Sequence, residues 1–181
     1  MILFAPGLAN LPPIDRDEPR YLQATRQMLE TGDFVRIRFQ NAERHNKPAG
    51  LYWVQAAFVH ALSSSSSTAV WPYRLPSALS ALASVLLTFW VGTLLFNRAT
   101  ALLGASILAS TFMLVYEAHV ATPEALLLVT VLSAQCALAK IYIQARRGDE
   151  PALVTVILFW AAIGFGLLVK EIGRASCRER V

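Results

Sequence analysis

The sequence predicts an all-α integral membrane protein: a multi-span helical bundle with further helices lying along one membrane surface. Three observations predict it. Of the 181 residues, 55% are hydrophobic and 15% charged, with a mean hydropathy of +0.47; a soluble domain carries about 25% charged residues. The apolar residues are gathered into segments nearly free of charge: Leu75 to Phe96, Ala101 to Tyr116, Ala125 to Ile143 and Ala152 to Val169. Each is close to the roughly 17–25 residues that cross a bilayer. The charges crowd beside these segments, as in IDRDEPRY at Ile14 to Tyr21. A buried soluble bundle would have too little polar surface to cover so much apolar length. The segments also recur and lack a cleavage pattern, unlike a signal peptide.

The chain divides into five zones. Residues 1–13 read as the end of a truncated first span, because MILFA runs into PGLANLPP. Residues 14–68 form a polar and amphipathic loop. Within it Asp17 to Thr31 reads as a helix: Asp15 and Glu18 have the spacing of a capping box, Pro19 suits the first turn, and Gly32 suits the stop. Tyr21, Leu22, Thr25, Met28 and Leu29 make one stripe at helical spacing, so this helix is expected to lie in the interface plane. FVRIRFQ alternates like an extended segment. Pro48 then starts a second helix, GLYWVQAAFVHAL, whose Tyr52 and Trp53 suit the headgroup level. SSSSS at Ser63 to Ser67 is a flexible connection. Residues 69–144 carry three spans, and residues 145–170 a short loop and a further span.

Residues 171–181, EIGRASCRERV, drop abruptly into a basic, patternless tail. Written as codons, it matches a common short-read sequencing adapter in frame. We therefore expect the coding sequence proper to stop near Lys170 and leave the tail out of the fold. Without Arg174, Arg178, Arg180, Glu171 and Glu179 the net charge falls from +4 to +3, which gives no reason to expect nucleic acid as a partner. Cys177 lies in that tail and Cys136 inside an apolar segment, so no disulfide or metal framework follows.

Orientation follows from the short loops. Arg98 in FNRAT, and Arg146 and Arg147 in QARRGDEP, should be cytoplasmic by the positive-inside bias. YEAHVATPE has no Lys or Arg and should face outward. The long loop and Lys170 should then face outward too. On that side the polar groups converge: Asp15, Asp17, Glu18, Arg20 and Tyr21; Arg36, Arg38, Arg44 and Lys47; Arg74; Glu117, His119 and Glu124; and Lys170. Charges at a membrane edge are costly unless functional or solvated. Arg and Lys at this depth would hold a lipid-linked phosphate by charge-assisted contacts, and a carboxylate could accept a proton from an acceptor or position it.

DEPRY (Asp17 to Tyr21), followed in order by QMLETGDF, RIRFQ, NKPAGLYW and WPYRLPS, resembles the first periplasmic loop of the polyprenyl-phosphate-dependent glycosyltransferases. These are the dolichyl-phosphate-mannose–protein mannosyltransferase family and its bacterial relatives, including the aminoarabinose transferases that act on lipid A. The resemblance covers nearly all of residues 1–170. It implies a GT-C fold, many membrane helices with two juxtamembrane helices of the first periplasmic loop packed over the active site, in the bacterial inner membrane. It implies a polyprenyl-phosphate-linked sugar as donor, a lipid or other envelope molecule as acceptor, and an active site facing the periplasm. Asp17 matches the family's acidic catalytic residue, and Glu124 stands where relatives place a second acidic residue, commonly Asp. Arg20, Tyr21, Lys47, Arg74 and Lys170 are the candidates for holding donor phosphate or substrate. Asn46 replaces a Glu that helps bind a metal in some relatives, so no metal site is expected.

Plainer readings stand beside these. Asp15 and Glu18 fit helix caps better than catalysts, and Asp17 could cap as well. Arg36 and Arg38 could be solvated or meet lipid headgroups. Arg74 could snorkel from the end of its span. His119 fits a turn, and Glu117 an interfacial position. The rival class is a transporter or membrane scaffold. That class should carry charge at midplane or broken helices in matched halves, whereas here Lys140 lies within a span only near its expected cytoplasmic end.

Overall fold

The computed structural model describes residues 7, 8, 12, 17–40, 42–43, 48–62 and 69–170. Among them are seven helices and one two-stranded ladder. The order is α1 (Glu18–Thr31), β1 (Arg38–Phe39), β2 (Ala42–Glu43), α2 (Gly50–Leu62), α3 (Trp71–Leu95), α4 (Arg98–Ser110), α5 (Phe112–Ala118), α6 (Glu124–Arg146) and α7 (Leu153–Val169).

α1 forms where its stripe predicts. Pro19 sits in its first turn, and Gly32 closes it at φ 69°, a left-handed conformation that costs a glycine least. Tyr21, Ala24, Thr25 and Met28 turn inward, and Tyr21 and Met28 pack with Leu51, Tyr52 and Ala56 of α2 and with Leu126 of α6. The capping box is not what starts the helix. Asp17 occupies the N-cap position without a side-chain cap bond, and the Glu18 carboxylate is buried and bonded to Arg74 and to Ala121. Asp15 lies outside the described residues. The extended reading of FVRIRFQ survives only as Arg38 and Phe39, which pair antiparallel with Glu43 and Ala42. Tyr52 is fully buried, with its ring 5.7 Å from that of Tyr21. Its neighbour Trp53 is exposed and donates its indole N–H to the Phe34 carbonyl at 2.7 Å.

α3 and α6 are each long and apolar enough to cross a membrane. They run parallel: Ser77 meets Thr122 near their starts, and the Cys136 thiol lies 3.6 Å from the Leu87 carbonyl further along. Ser77, Ala81 and Ser84 of α3 and Ala125, Ala134 and Ala137 of α6 are buried, and small residues of this kind let membrane helices approach closely. α7 returns antiparallel to α6, with Gly166 against Thr130 and Lys170 reaching Glu124. Its 17 residues make it shorter than α3 and α6, which have 25 and 23.

The segment Ala101 to Tyr116 departs from its expected form as one straight span. It is divided into α4 and α5, bent by 61° at Thr111. The Ser110 and Thr111 hydroxyls both donate to the Ile107 carbonyl, at 3.0 and 2.9 Å. Side-chain donors here compete with the helical N–H for that acceptor, and the backbone breaks where the two hydroxyls sit side by side. Many large side chains along the helices are exposed, among them Leu86, Leu102, Leu103, Ile107, Leu158 and Trp160. In a helical integral membrane protein these face hydrocarbon or further protein rather than water.

Candidate functional site

The direction of each helix decides where its polar ends meet. α3 and α6 begin, and α7 ends, at the same edge of the bundle, which is also reached by the turn after α5. Arg98, Arg146 and Arg147 therefore lie at the opposite end. α1 packs on α2, and α2 on α3 and α7, so the starts of α1 and α2 join the same edge. Gly50 makes the closest approach. A Cβ there would lie 2.6 Å from the Leu168 carbonyl oxygen, so only glycine lets the start of α2 rest on the end of α7.

Two ion pairs stand open on this rim. Asp17 Oδ1 receives Arg20 Nη1 at 3.1 Å, with the side chains 43% and 42% exposed. Lys170 Nζ reaches Glu124 Oε1 at 2.9 Å, with the side chains 42% and 37% exposed. Glu124 is the first residue of α6, where the helix's unpaired N–H groups favour an anion. Both carboxylates remain accessible to a substrate.

A third pair is closed. Arg74 donates from Nε to Glu18 Oε1 at 2.7 Å and from Nη2 to Oε2 at 3.1 Å, a bidentate contact with both side chains inaccessible. Arg74 also donates to the Leu8 and Pro12 carbonyls, at 3.2 Å each, so it is buried rather than snorkelling. Glu18 Oε1 further accepts the Ala121 N–H at 3.0 Å. Glu117 accepts the Thr122 hydroxyl at 2.6 Å. His119 sits at the end of α5 with Nδ1 2.6 Å from the Val115 carbonyl, as the turn reading expected.

Of the seven candidates, the structure brings Asp17 with Arg20 and Glu124 with Lys170 to the rim as pairs. It turns Tyr21 inward against Tyr52, and it engages Arg74 with Glu18. Lys47, together with Arg44 and Asn46, lies outside the described residues. Sequence reasoning missed the place of Glu18. One clue was present in DEPRY, an acid facing the core side of α1 one residue after Asp17. Among the described residues no three of His, Cys, Asp and Glu are gathered so as to hold a metal. A cleft of about 590 Å³ lies away from these pairs, between α3, α6 and α7, lined by Trp90, Leu126, Cys136, Lys140 and Phe165 among others. It includes none of the candidate residues, and its walls are largely apolar.

Residues 14–176 match the model of a family described as dolichyl-phosphate-mannose-protein mannosyltransferase. The chain belongs to that family. Within it the chain is 31% identical, over 156 residues, to the undecaprenyl phosphate-alpha-4-amino-4-deoxy-L-arabinose arabinosyl transferase of Pectobacterium carotovorum. That alignment takes in 85% of this chain and 27% of the relative. The enzyme of the same name from Yersinia pestis is 33% identical over 101 residues, 55% of this chain and 17% of the relative. Two crystal structures of ArnT from Cupriavidus metallidurans, one apo and one bound to undecaprenyl phosphate, superpose with a TM-score of 0.80 at 24% identity. They cover 93% of this chain and 30% of theirs, so the chain spans under a third of the length of these relatives. The fold is thus that of the GT-C membrane glycosyltransferases expected from DEPRY and the motifs after it.

Proposed function

We propose that the protein is a membrane glycosyltransferase that moves a sugar from a polyprenyl-phosphate donor to a lipid A-like lipid or other envelope acceptor. The reaction takes place at the periplasmic face of a bacterial inner membrane that the protein crosses several times. The observation that carries this reading is the pairing at one rim: Asp17 with Arg20, and Glu124 with Lys170, all four accessible. The family, and the donor named in its relatives, support it.

The rim offers what such a transfer needs. The acceptor oxygen attacks the anomeric carbon while the bond from that carbon to the donor phosphate breaks, and the phosphate leaves with the electron pair. Arg20, Lys170 and Lys47 supply cations for that phosphate. Where the acceptor is a hydroxyl, Asp17 takes its proton as general base; where it is an ionised phosphate, Asp17 orients it. Glu124 holds Lys170 in place towards that phosphate from the start of α6. Tyr21 supports α1 from within, and Arg74 acts through Glu18.

The test is transfer from undecaprenyl-phosphate-linked 4-amino-4-deoxy-L-arabinose to lipid A by the full-length protein in proteoliposomes. Asp17→Asn should abolish transfer while donor binding persists. Full turnover in that variant would remove Asp17 from the mechanism.

A further inference from the structure

We propose that Gln55 and Thr25 are positioning residues of the transfer reaction, acting through the backbone of Ala121 to set Glu124 against Asp17. This inference rests on the reading of Asp17 and Glu124 given above.

Ala121 lies in the turn between α5 and α6, three residues before Glu124. Its N–H is held from α1 and its carbonyl from α2. Its N–H goes directly to Glu18. Its carbonyl accepts Gln55 Nε2 at 3.3 Å, and Gln55 Oε1 in turn accepts the Thr25 hydroxyl at 2.7 Å. Thr25 and Gln55 are both fully buried. Thr25 lies about two helical turns from Asp17 on the same helix. The next residue of the turn is held as well, with Ser77 Oγ 3.3 Å from the Thr122 carbonyl and the Thr122 hydroxyl on Glu117.

An amide and a hydroxyl in a closed contact between helices are costly unless their bonds are made. An apolar pair of the same volume would hold α1 on α2 equally well, because packing does not depend on direction. It would not hold Ala121, whose carbonyl can be fixed only by a donor at one place. The directional contacts therefore fix the register of the turn, and with it the start of α6, relative to α1. A shift of about 1 Å in a reacting group can lower a rate by about 10²-fold.

The test uses the full-length protein with the same donor and lipid A, reading kcat, donor KM and thermal unfolding for each variant. Gln55→Leu keeps the volume and removes both bonds. It should lower kcat by about 10- to 100-fold, as expected for a misplacement of this size, with donor KM within about twofold of wild type. Thr25→Val should lower kcat less, the two changes together should cost no more than Gln55→Leu alone, and Thr25→Ser should restore the rate. If Gln55→Leu does not fold, the comparison of Thr25→Val with Thr25→Ser decides. An undiminished kcat, or a loss that follows the folded fraction and is not rescued by Thr25→Ser, overturns the inference. If Asp17→Asn abolishes transfer while Gln55→Leu leaves kcat intact, only the positioning role fails. If wild type transfers nothing, or Asp17→Asn retains turnover, the site reading fails and takes this inference with it.

Discussion

Glu18 and Arg74 are 56 positions apart in the chain and share two hydrogen bonds, the shorter at 2.7 Å, where solvent reaches neither side chain. The contact ties α1 to α3, and through the Leu8, Pro12 and Ala121 backbone it ties the N-terminal segment and the α5–α6 turn to both. Glu18 is the next residue after Asp17, which stays open on the rim.

Breaking this pair from one side should be severe. Arg74→Met leaves Glu18 buried without its cation, and removing one partner of such a pair costs about 3–5 kcal/mol. The double variant Glu18→Gln, Arg74→Met should recover much of that loss, because no charge is then left uncompensated. Thermal unfolding in detergent gives the comparison. Equal melting of wild type and Arg74→Met would mean that the pair is not what holds these segments.

Gly50→Ala should destabilise by about 1–3 kcal/mol, the range for forcing atoms into a filled contact. The new Cβ would meet the Leu168 carbonyl, which belongs to backbone and cannot turn aside. The same unfolding measurement reads it, and an unchanged midpoint would show that α2 and α7 can part there without cost.

Glu124→Gln and Lys170→Met should separate stability from activity. Their ion pair is more than a third exposed on both sides, and such pairs contribute about 0–1 kcal/mol. Transfer should nevertheless fall, by about 10²-fold or more in Lys170→Met, which removes a cation that stabilises developing charge. It should fall by less in Glu124→Gln, which only loosens the hold on that cation. Matched losses of melting temperature and rate would reduce the pair to a structural contact.

The turn after α1 should respond to acid. Asp33 Oδ1 accepts the backbone N–H groups of Arg36 and Val35, at 3.0 and 3.1 Å. These bonds, Arg36's first, hold its carboxyl below its ordinary 3.8. A carboxyl whose pKa is lower folded than unfolded stabilises fully above the unfolded value, and that contribution is lost as pH falls through the folded one. Amide exchange at Val35 and Arg36 should therefore stay slow, relative to its intrinsic rate, until the pH passes below about 3.8. In Asp33→Ala it should be fast throughout. Slow exchange in that variant would show that other contacts hold the turn.

Several features are legible in the sequence alone. The stripe from Tyr21 to Leu29 defines α1 and its inward face because burial follows a period of 3.6 residues. Gly32 ends that helix because few other residues take a positive φ. The clean apolar runs define α3, α6 and α7, and the motifs from DEPRY to WPYRLPS point to the family. The kink at Thr111 was open to view in adjacent Ser110 and Thr111, but an apolar count has no term for hydroxyls that take a carbonyl from the helix ladder. Glu18 was misread as a cap because capping is local, whereas Arg74 and Ala121, which it bonds, lie 56 and 103 residues away.

By itself, the sequence determined the membrane class, the helices, and the acids and bases at the ends of the spans. Periodicity and transfer free energy act residue by residue along the chain. Only the tertiary structure decided which charges face each other. Arg74 is enclosed by Glu18, while Glu124 and Asp17 remain open on separate pairs. That choice depends on how helices remote in sequence approach. Buried charges need a partner at hydrogen-bond distance, and no pattern within one helix says where that partner will stand.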